Sequence, residues 1–340
     1  MNIGFYRAGL IGDNIVVLHA IYALRHLYRD SRIIVYTNAL DGGGGVNIYA
    51  QFDFIDSLVN IDSMDRQSLI DNINENSFDV FILTQPNRDK CSLLAKTTCK
   101  RIITFMTFAN SFRRRFESVF ISKHFNFTPQ YMRMLMLVRK INAKHYDSNI
   151  NSIDYSHIRL KSSDKNKSKI QSFIESNNIN KRIVVVNPFV RSAFCNLTLN
   201  GYKILLNKLS ELYPNLHFVI PTYKGNDKGN AELSSIEALN NISIFYNDND
   251  LINLVALLEQ SIALISPSTG ISHIANNLNV PLIWLCSKRD KYLWCGDNMD
   301  SNHFIILHKT TQNMSKEYED RIINEILEKL QNLIESKISH

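Results

Sequence analysis

The chain has no apolar run approaching the roughly 20 residues that would carry a helix across a bilayer. Its opening residues, Asn2-Ile-Gly-Phe-Tyr6, read as a strand rather than a basic stretch followed by an apolar block. A signal peptide is therefore not expected, and a cytoplasmic location is. Five cysteines (Cys91, Cys99, Cys195, Cys286 and Cys295) are an odd number without zinc-ligand spacing. Reduced, unpaired thiols follow. There is no Gly-x-Gly-x-x-Gly fingerprint and no Walker sequence, which argues against dehydrogenase and nucleoside triphosphatase chemistry. No Asp-x-Asp pair sits in a setting that suggests a divalent cation. Asp248-Asn-Asp250 comes nearest, but it precedes a helical pattern and reads as a cap. Neither a metal nor a resident cofactor is expected.

What is present is an ordinary globular composition, 45% hydrophobic and 21% charged over 340 residues. That length accommodates two domains, each with its own core. The net charge is +6, and the excess is local. Between 100 and 140, Lys100, Arg101, Arg113, Arg114, Arg115, Lys123, Arg133, Arg139 and Lys140 face one acid, Glu117. A solvated helix face explains such a run. A surface for anionic lipid or a phosphorylated acceptor explains it equally. The interleaved Phe112, Phe116, Phe120, Phe125 and Phe127 suit a patch that touches a membrane. Nucleic acid is a third reading, but no nucleic-acid-binding motif accompanies the charge.

Strand and helix patterns alternate along the chain. Strands are expected near 2–6, 32–36, 57–61, 79–84 and 101–105, and residues 107–142 read as helical, with Met132, Leu135, Met136 and Val138 as packing contacts. Asp41-Gly-Gly-Gly-Gly45 reads as a loop after the second strand, either plainly mobile or bordering a ligand site. Residues 145–165 turn to Asn, Ser, Asp and Lys, marking a domain boundary. A second series follows: helix 166–177, strand 182–187, helix 198–213, strand 216–220, helix 229–239, strand 242–245, helix 250–260, strand 262–265, helix 270–278, strand 281–285, strand 303–307 and a closing helix over 316–336. The expected class is α/β, with two Rossmann-like, parallel-sheet domains facing a cleft. The domains are placed at 1–150 and 166–320, with a helix and tail over 321–340.

The stretch most suggestive of chemistry is Ile262 to Leu285. An apolar strand, Ile262-Ala-Leu-Ile265, runs into Ser266-Pro-Ser-Thr-Gly270 and then directly into a helix. Free N–H groups and a partial positive charge at that helix terminus suit a phosphate or pyrophosphate, and Gly270 lets it approach the backbone. His273, one turn in, can reach a phosphate oxygen or pack within the helix. At the other end of the chain, Asp13 follows Gly12 at a helix start. Capping alone explains an aspartate there.

Thr269-Gly270-Ile-Ser-His273-Ile-Ala275, then Leu278-Asn-Val-Pro281 and Trp294, resembles the donor-site motif of the ADP-heptose:lipopolysaccharide heptosyltransferases, glycosyltransferase family nine. The opening strand, Arg7-Ala-Gly-Leu-Ile-Gly12-Asp13 and the helix after it look like the family's first strand, Gly-Asp element and first helix. The likeness spans nearly the whole chain and implies the two-domain GT-B architecture. It makes Asp13 the catalytic base of an inverting, metal-independent transfer. It implies a donor site of Asn187, Ser268, Thr269, Gly270 and His273. Gly12 of the Gly-Asp element, and Arg113, Arg114 and Arg115 of the basic segment on the strength of their charge, are expected to meet the acceptor.

Two departures stand out. Ser268 replaces the family's usual Asp, which puts the donor sugar in question. In Asn187-Pro-Phe-Val-Arg191-Ser-Ala-Phe-Cys195-Asn-Leu-Thr198, Cys195 falls where a phosphate-binding Lys is expected. Arg191 could supply that charge, and Lys288 and Arg289 could help. The implied activity moves a sugar, heptose by default, from a nucleotide-diphosphate donor to a lipopolysaccharide or lipooligosaccharide core acceptor at the inner face of the cytoplasmic membrane. A GT-B-type nucleotide-sugar epimerase and a non-catalytic nucleotide-sugar-binding protein are the alternatives. No nucleic-acid partner is expected.

Overall fold

The computed structural model describes residues 1–39, 44–121, 128–190, 193–223, 226, 239–295 and 303–336. The chain forms two compact units, Met1–Arg159 and Leu160–His340. Each contains a six-stranded sheet whose described pairings are all parallel.

In the first unit the strands are β1 (Asn2–Tyr6), β2 (Arg32–Thr37), β3 (Ser57–Asn60), β4 (Val80–Leu83), β5 (Arg101–Phe105) and β6 (Phe116–Val119). Their order across the sheet is β3-β2-β1-β4-β5-β6. In the second they are β7 (Arg182–Val186), β8 (Leu216–Tyr223), β9 (Ile242–Asn247), β10 (Ser261–Pro267), β11 (Leu282–Cys286) and β12 (His303–Ile306), ordered β12-β11-β10-β7-β8-β9. Both are the doubly wound order of a Rossmann-like α/β fold, as expected. Strands covered on both faces need continuous apolar runs. Ile183-Val-Val-Val186 and Leu282-Ile-Trp-Leu-Cys286 are such runs, and every residue in them is buried.

The order also fixes where ligands fit. It reverses direction between β1 and β4 in the first unit, and between β7 and β10 in the second. At such a switch point the loops leaving two neighbouring strands diverge and open a crevice at their C-terminal ends.

Several local expectations are corrected. Residues 107–142 are not continuously helical: Phe116–Val119 is the edge strand β6, and the helix covers Gln130–Arg139. Asn110 sets the turn before β6, accepting from Thr107 N at 3.0 Å and donating to Phe105 O at 2.7 Å. Arg101 then clamps Glu117 across the β5–β6 pair with two charge-assisted bonds of 2.5 and 2.8 Å. The expected first helix breaks at Val16-Val17 into Ile11–Ile15 and Leu18–Leu27. A helix at Lys288–Trp294 was not expected. The helix expected over 229–239 lies almost wholly outside the described residues.

The closing helix, Lys316–Ser336, belongs to the second unit's core. Ile322, Ile323, Ile326, Leu330, Leu333 and Ile334 form its apolar stripe, three or four residues apart in the main. Its Glu319 is buried and accepts from Thr198 N at 2.6 Å and Thr198 Oγ1 at 3.1 Å. The helix thus braces the start of its neighbour, Leu199–Leu212. Among the described residues, no helix is long and apolar enough to cross a membrane.

Candidate active site

Asp13 lies at the first unit's switch point. The chain leaves β1 at Tyr6, and Arg7 N continues the ladder to Tyr36 O at 2.9 Å. The next four residues, Arg7–Leu10, carry the backbone into the short helix Ile11–Ile15. Asp13 is the third residue of that helix rather than its N-cap, so it caps the helix start from within. Its carboxylate serves the helix start, because Oδ2 accepts from Leu10 N at 3.1 Å. Gly12, proposed to meet an acceptor, is buried and offers no side chain.

Arg7 was not among the sequence candidates. Its side chain is 3% exposed, and it holds Asp13 twice. Nη2 donates to Asp13 Oδ1 at 2.5 Å, and Nε donates to Asp13 O at 2.9 Å. With its amide oriented to match its neighbours, Gln85, on the loop after β4, donates to Ala8 O and accepts from Arg7 Nη1 at 3.3 Å. Burial pushes the guanidinium pKa down, and the Asp13 carboxylate opposes that shift. Nearby, Lys90 Nζ lies 5.2 Å from the Tyr6 ring centre. Its pKa is lowered first by burial and then by Arg7, while Asp13 raises it.

The same loop is pinned from below. Asn38, directly after β2, accepts from Gly9 N at 3.0 Å and donates to Gly9 O at 3.2 Å. Asn14 Nδ2 also donates to Gly9 O, at 3.0 Å. The buried Tyr49 hydroxyl donates to Asn14 Oδ1 at 3.0 Å. Gly45 makes this approach possible, since a Cβ there would lie 1.9 Å from Thr37 Oγ1 and 3.0 Å from Asn14 Oδ1. Of the glycine run Asp41–Gly45, only Gly44 and Gly45 are described, and Gly45 opens the helix Gly45–Tyr49.

The second unit's switch point gathers the donor candidates Asn187, Ser268, Thr269 and Gly270 on the loops after β7 and β10. Asn187 Nδ2 donates to Ser266 Oγ and Thr269 Oγ1, both at 3.1 Å, and to Phe189 O at 3.2 Å. This buried amide ties the two loops together. Thr269 is the N-cap of the helix Gly270–Leu278, and its N–H is taken by Ser272 Oγ at 3.0 Å. Ser268, half-buried, makes no hydrogen bond from its side chain among the described residues. Asn279, in the left-handed region at φ 60°, ends the helix ahead of Pro281.

His273 is buried, with its ring 5.8 Å from that of Trp284 and 5.3 Å from that of Trp294, both edge-on. Packing thus accounts for most of its surface. Cys195 is half-buried, and burial raises its thiol pKa, with Asp290 adding to the effect. It is a neutral group. Asn196 beside it is committed internally, donating to Pro188 O and accepting from Tyr202. Arg191 lies outside the described residues. Lys288 and Arg289 are exposed in the first turn of the helix Lys288–Trp294.

The basic segment is less uniform than its sequence suggests. Lys100 pairs with Asp79, Arg101 with Glu117, and Arg139 with Asp147. Arg115 donates to the carbonyls of Ala95, Thr97 and Cys99, closing the end of the helix Arg88–Leu94. Lys123, Phe125 and Phe127 lie outside the described residues. Arg113 and Arg114 are exposed. In the same segment Phe108 is 89%, Phe112 86% and Phe120 64% exposed, with Met106 at 49%; Phe120 and Met106 follow the C-terminal ends of β6 and β5, whereas Arg113 and Arg114 precede β6. The Phe108 and Phe112 rings meet edge to face at 6.0 Å. Phe116 packs partly into the core.

Among the described residues no cluster of three or more His, Cys, Asp or Glu is placed to hold a metal ion. A family model described as glycosyltransferase family 9 (heptosyltransferase) matches residues 66–324, a span that begins downstream of Arg7 and Asp13. The fold is similar to that of E. coli ADP-heptose LPS heptosyltransferase II, with a TM-score of 0.74, 13% identity and 99% of both chains covered. A family 9 glycosyltransferase from Veillonella parvula gives 0.73 at 15% identity, covering 98% of this chain and 97% of that one. E. coli heptosyltransferase WaaC with ADP gives 0.65 at 13% identity, covering 97% and 99%. No curated protein sequence matches the chain.

Proposed function

Because the chain belongs to glycosyltransferase family 9, we propose that it moves a sugar from a nucleotide-diphosphate donor to a lipopolysaccharide or lipooligosaccharide core acceptor. Heptose carried on ADP is the proposed donor, in line with the E. coli relative solved with ADP and with ADP-2-deoxy-2-fluoro heptose. The observation that carries this reading is Asp13. It is a carboxylate at a sheet's switch point, 24% exposed and held by a buried cation. It would take the proton from an acceptor hydroxyl as that oxygen attacks the anomeric carbon. The bond to the diphosphate breaks on the opposite face, so one displacement inverts the carbon. The carboxylate that accepts the proton never bonds to the sugar.

The donor would lie over the loops after β7 and β10. The helix terminus at Thr269-Gly270 offers partial positive charge to the leaving diphosphate. Ser268 keeps a hydroxyl for a sugar or ribose contact. Full charge would come from Arg191, helped by Lys288 and Arg289, because Cys195 is a neutral thiol. A cation in place of a divalent metal suffices for such a leaving group. His273 and Asn187 would act mainly by shaping this terminus.

The acceptor would be met at a membrane surface, at the inner face of the cytoplasmic membrane. Met106, Phe108 and Phe120 lie beyond the C-terminal ends of β5 and β6, the end of the sheet that also carries Asp13. Exposed aromatic rings, with the exposed Arg113 and Arg114 in the same segment, suit the boundary between acyl chains and anionic headgroups.

A panel of nucleotide sugars tests the reading. The true donor raises the melting temperature by an amount set by its concentration over its Kd. Transfer onto core acceptor, followed by product mass, completes the test. Release of an epimerised nucleotide sugar without acceptor would replace the proposal by the epimerase reading. Binding without turnover would favour a nucleotide-sugar-binding role.

A further inference from the structure

We propose that Arg7 is the positioning residue of the catalytic base, fixing the Asp13 carboxylate for proton transfer; this rests on Asp13 being that base. One guanidinium grips both the backbone and the side chain of the same residue, through Asp13 O and Oδ1. The first bond fixes where the residue sits, and the second fixes how its carboxylate is turned. Leu10 N holds the other oxygen. A carboxylate offers about two lone-pair directions on each oxygen. With one taken on each, Asp13 retains acceptor capacity toward solvent, where its side chain is partly open.

The guanidinium is itself held. It is almost fully buried, with its third direction on Gln85 from the loop after β4. Arg7 therefore links both loops of the switch point to the base. The charged and titratable groups around the pair are Lys90 and Tyr49, whose interactions with Arg7 and Asp13 are of the same kind. Lys90 supplies cationic charge without bonding Asp13, so Arg7 provides the geometry. The rival reading is a strut: a buried cation needs a counter-ion, and Asp13 would then serve only the fold.

The experiment compares full-length Arg7→Met, Arg7→Lys, Asp13→Asn and the Arg7→Met/Asp13→Asn double variant in sugar transfer. Melting temperature and donor-induced thermal shift check each fold. A base displaced by about 1 Å costs on the order of 10²-fold. We expect Arg7→Met to lose about that in kcat, with KM for donor and acceptor unchanged, and Arg7→Lys to fall between. Because Arg7 acts through Asp13, the double variant should be no slower than Asp13→Asn alone. Should Arg7→Met fail to fold, Arg7→Lys and its double variant carry the same comparison. Losses that multiply in the double variant, or a raised KM with unchanged kcat, would overturn the proposal. An Asp13→Asn variant that turns over normally would instead remove the base reading itself, and this proposal with it.

Discussion

A Cβ placed on Gly9 would lie 2.7 Å from the Cβ of Asp13 and 2.9 Å from its Oδ2. Real Cβ contacts are essentially never that short, so one of the two residues must move. Gly9 cannot easily yield, because Asn38 and Asn14 hold its N–H and carbonyl. Asp13 must yield instead. Gly9→Ala should therefore lower kcat by roughly 10²-fold through a misplaced base, while costing about 1 kcal/mol of stability, an ordinary amount for a point substitution. Steady-state kinetics alongside thermal melting checks this. Full activity would mean that the carboxylate's position is not critical.

The loop after β7 gives a second prediction. A leaving diphosphate needs positive charge in the transition state, and burial keeps Cys195 a neutral thiol. Arg191→Ala should lower turnover by roughly 10²-fold, comparable to losing one transition-state donor. Cys195→Ser should be nearly silent, and Cys195→Lys should partly restore Arg191→Ala. Turnover assays on the three variants decide the matter. An active Arg191→Ala beside a dead Cys195→Ser would reverse the assignment.

The aromatic surface predicts lipid dependence. Phe108→Ser with Phe112→Ser should weaken binding to vesicles containing anionic lipid without changing the melting temperature, since neither ring is buried. Arg113→Ala with Arg114→Ala should do the same at low salt, and added salt should mimic the loss. Arg115 is left in place because its bonds to three carbonyls are structural. Vesicle co-sedimentation reads both pairs. Unchanged binding at low salt would make the patch an ordinary solvated face.

Much of the fold was legible because parallel strands announce themselves as continuous apolar runs, as in Ile183–Val186 and Leu282–Cys286. The strand β6 was not, since Phe-Glu-Ser-Val is short, half-buried and paired on one side only. The charge count between 100 and 140 misled for a related reason. Its acids came from distant positions, with Asp79 beside Lys100 and Asp147 beside Arg139. Asp13 and the Thr269 turn stood out as local patterns. Arg7 did not, because its value comes from a bond six residues ahead and from Gln85 on another loop. A basic residue directly after the first strand of a doubly wound sheet was the available signal.

The most direct test of the central claim, that Asp13 is the base of a glycosyl transfer, is single-turnover transfer by Asp13→Asn with donor and acceptor saturating. The amide keeps the size of the side chain but accepts a proton poorly. A positioned general base contributes on the order of 10²–10⁴-fold. The expected result is a loss of that size in the chemical step, with donor-induced thermal stabilisation and melting temperature close to those of the native protein. A variant that binds donor and transfers sugar at the native rate would contradict the account.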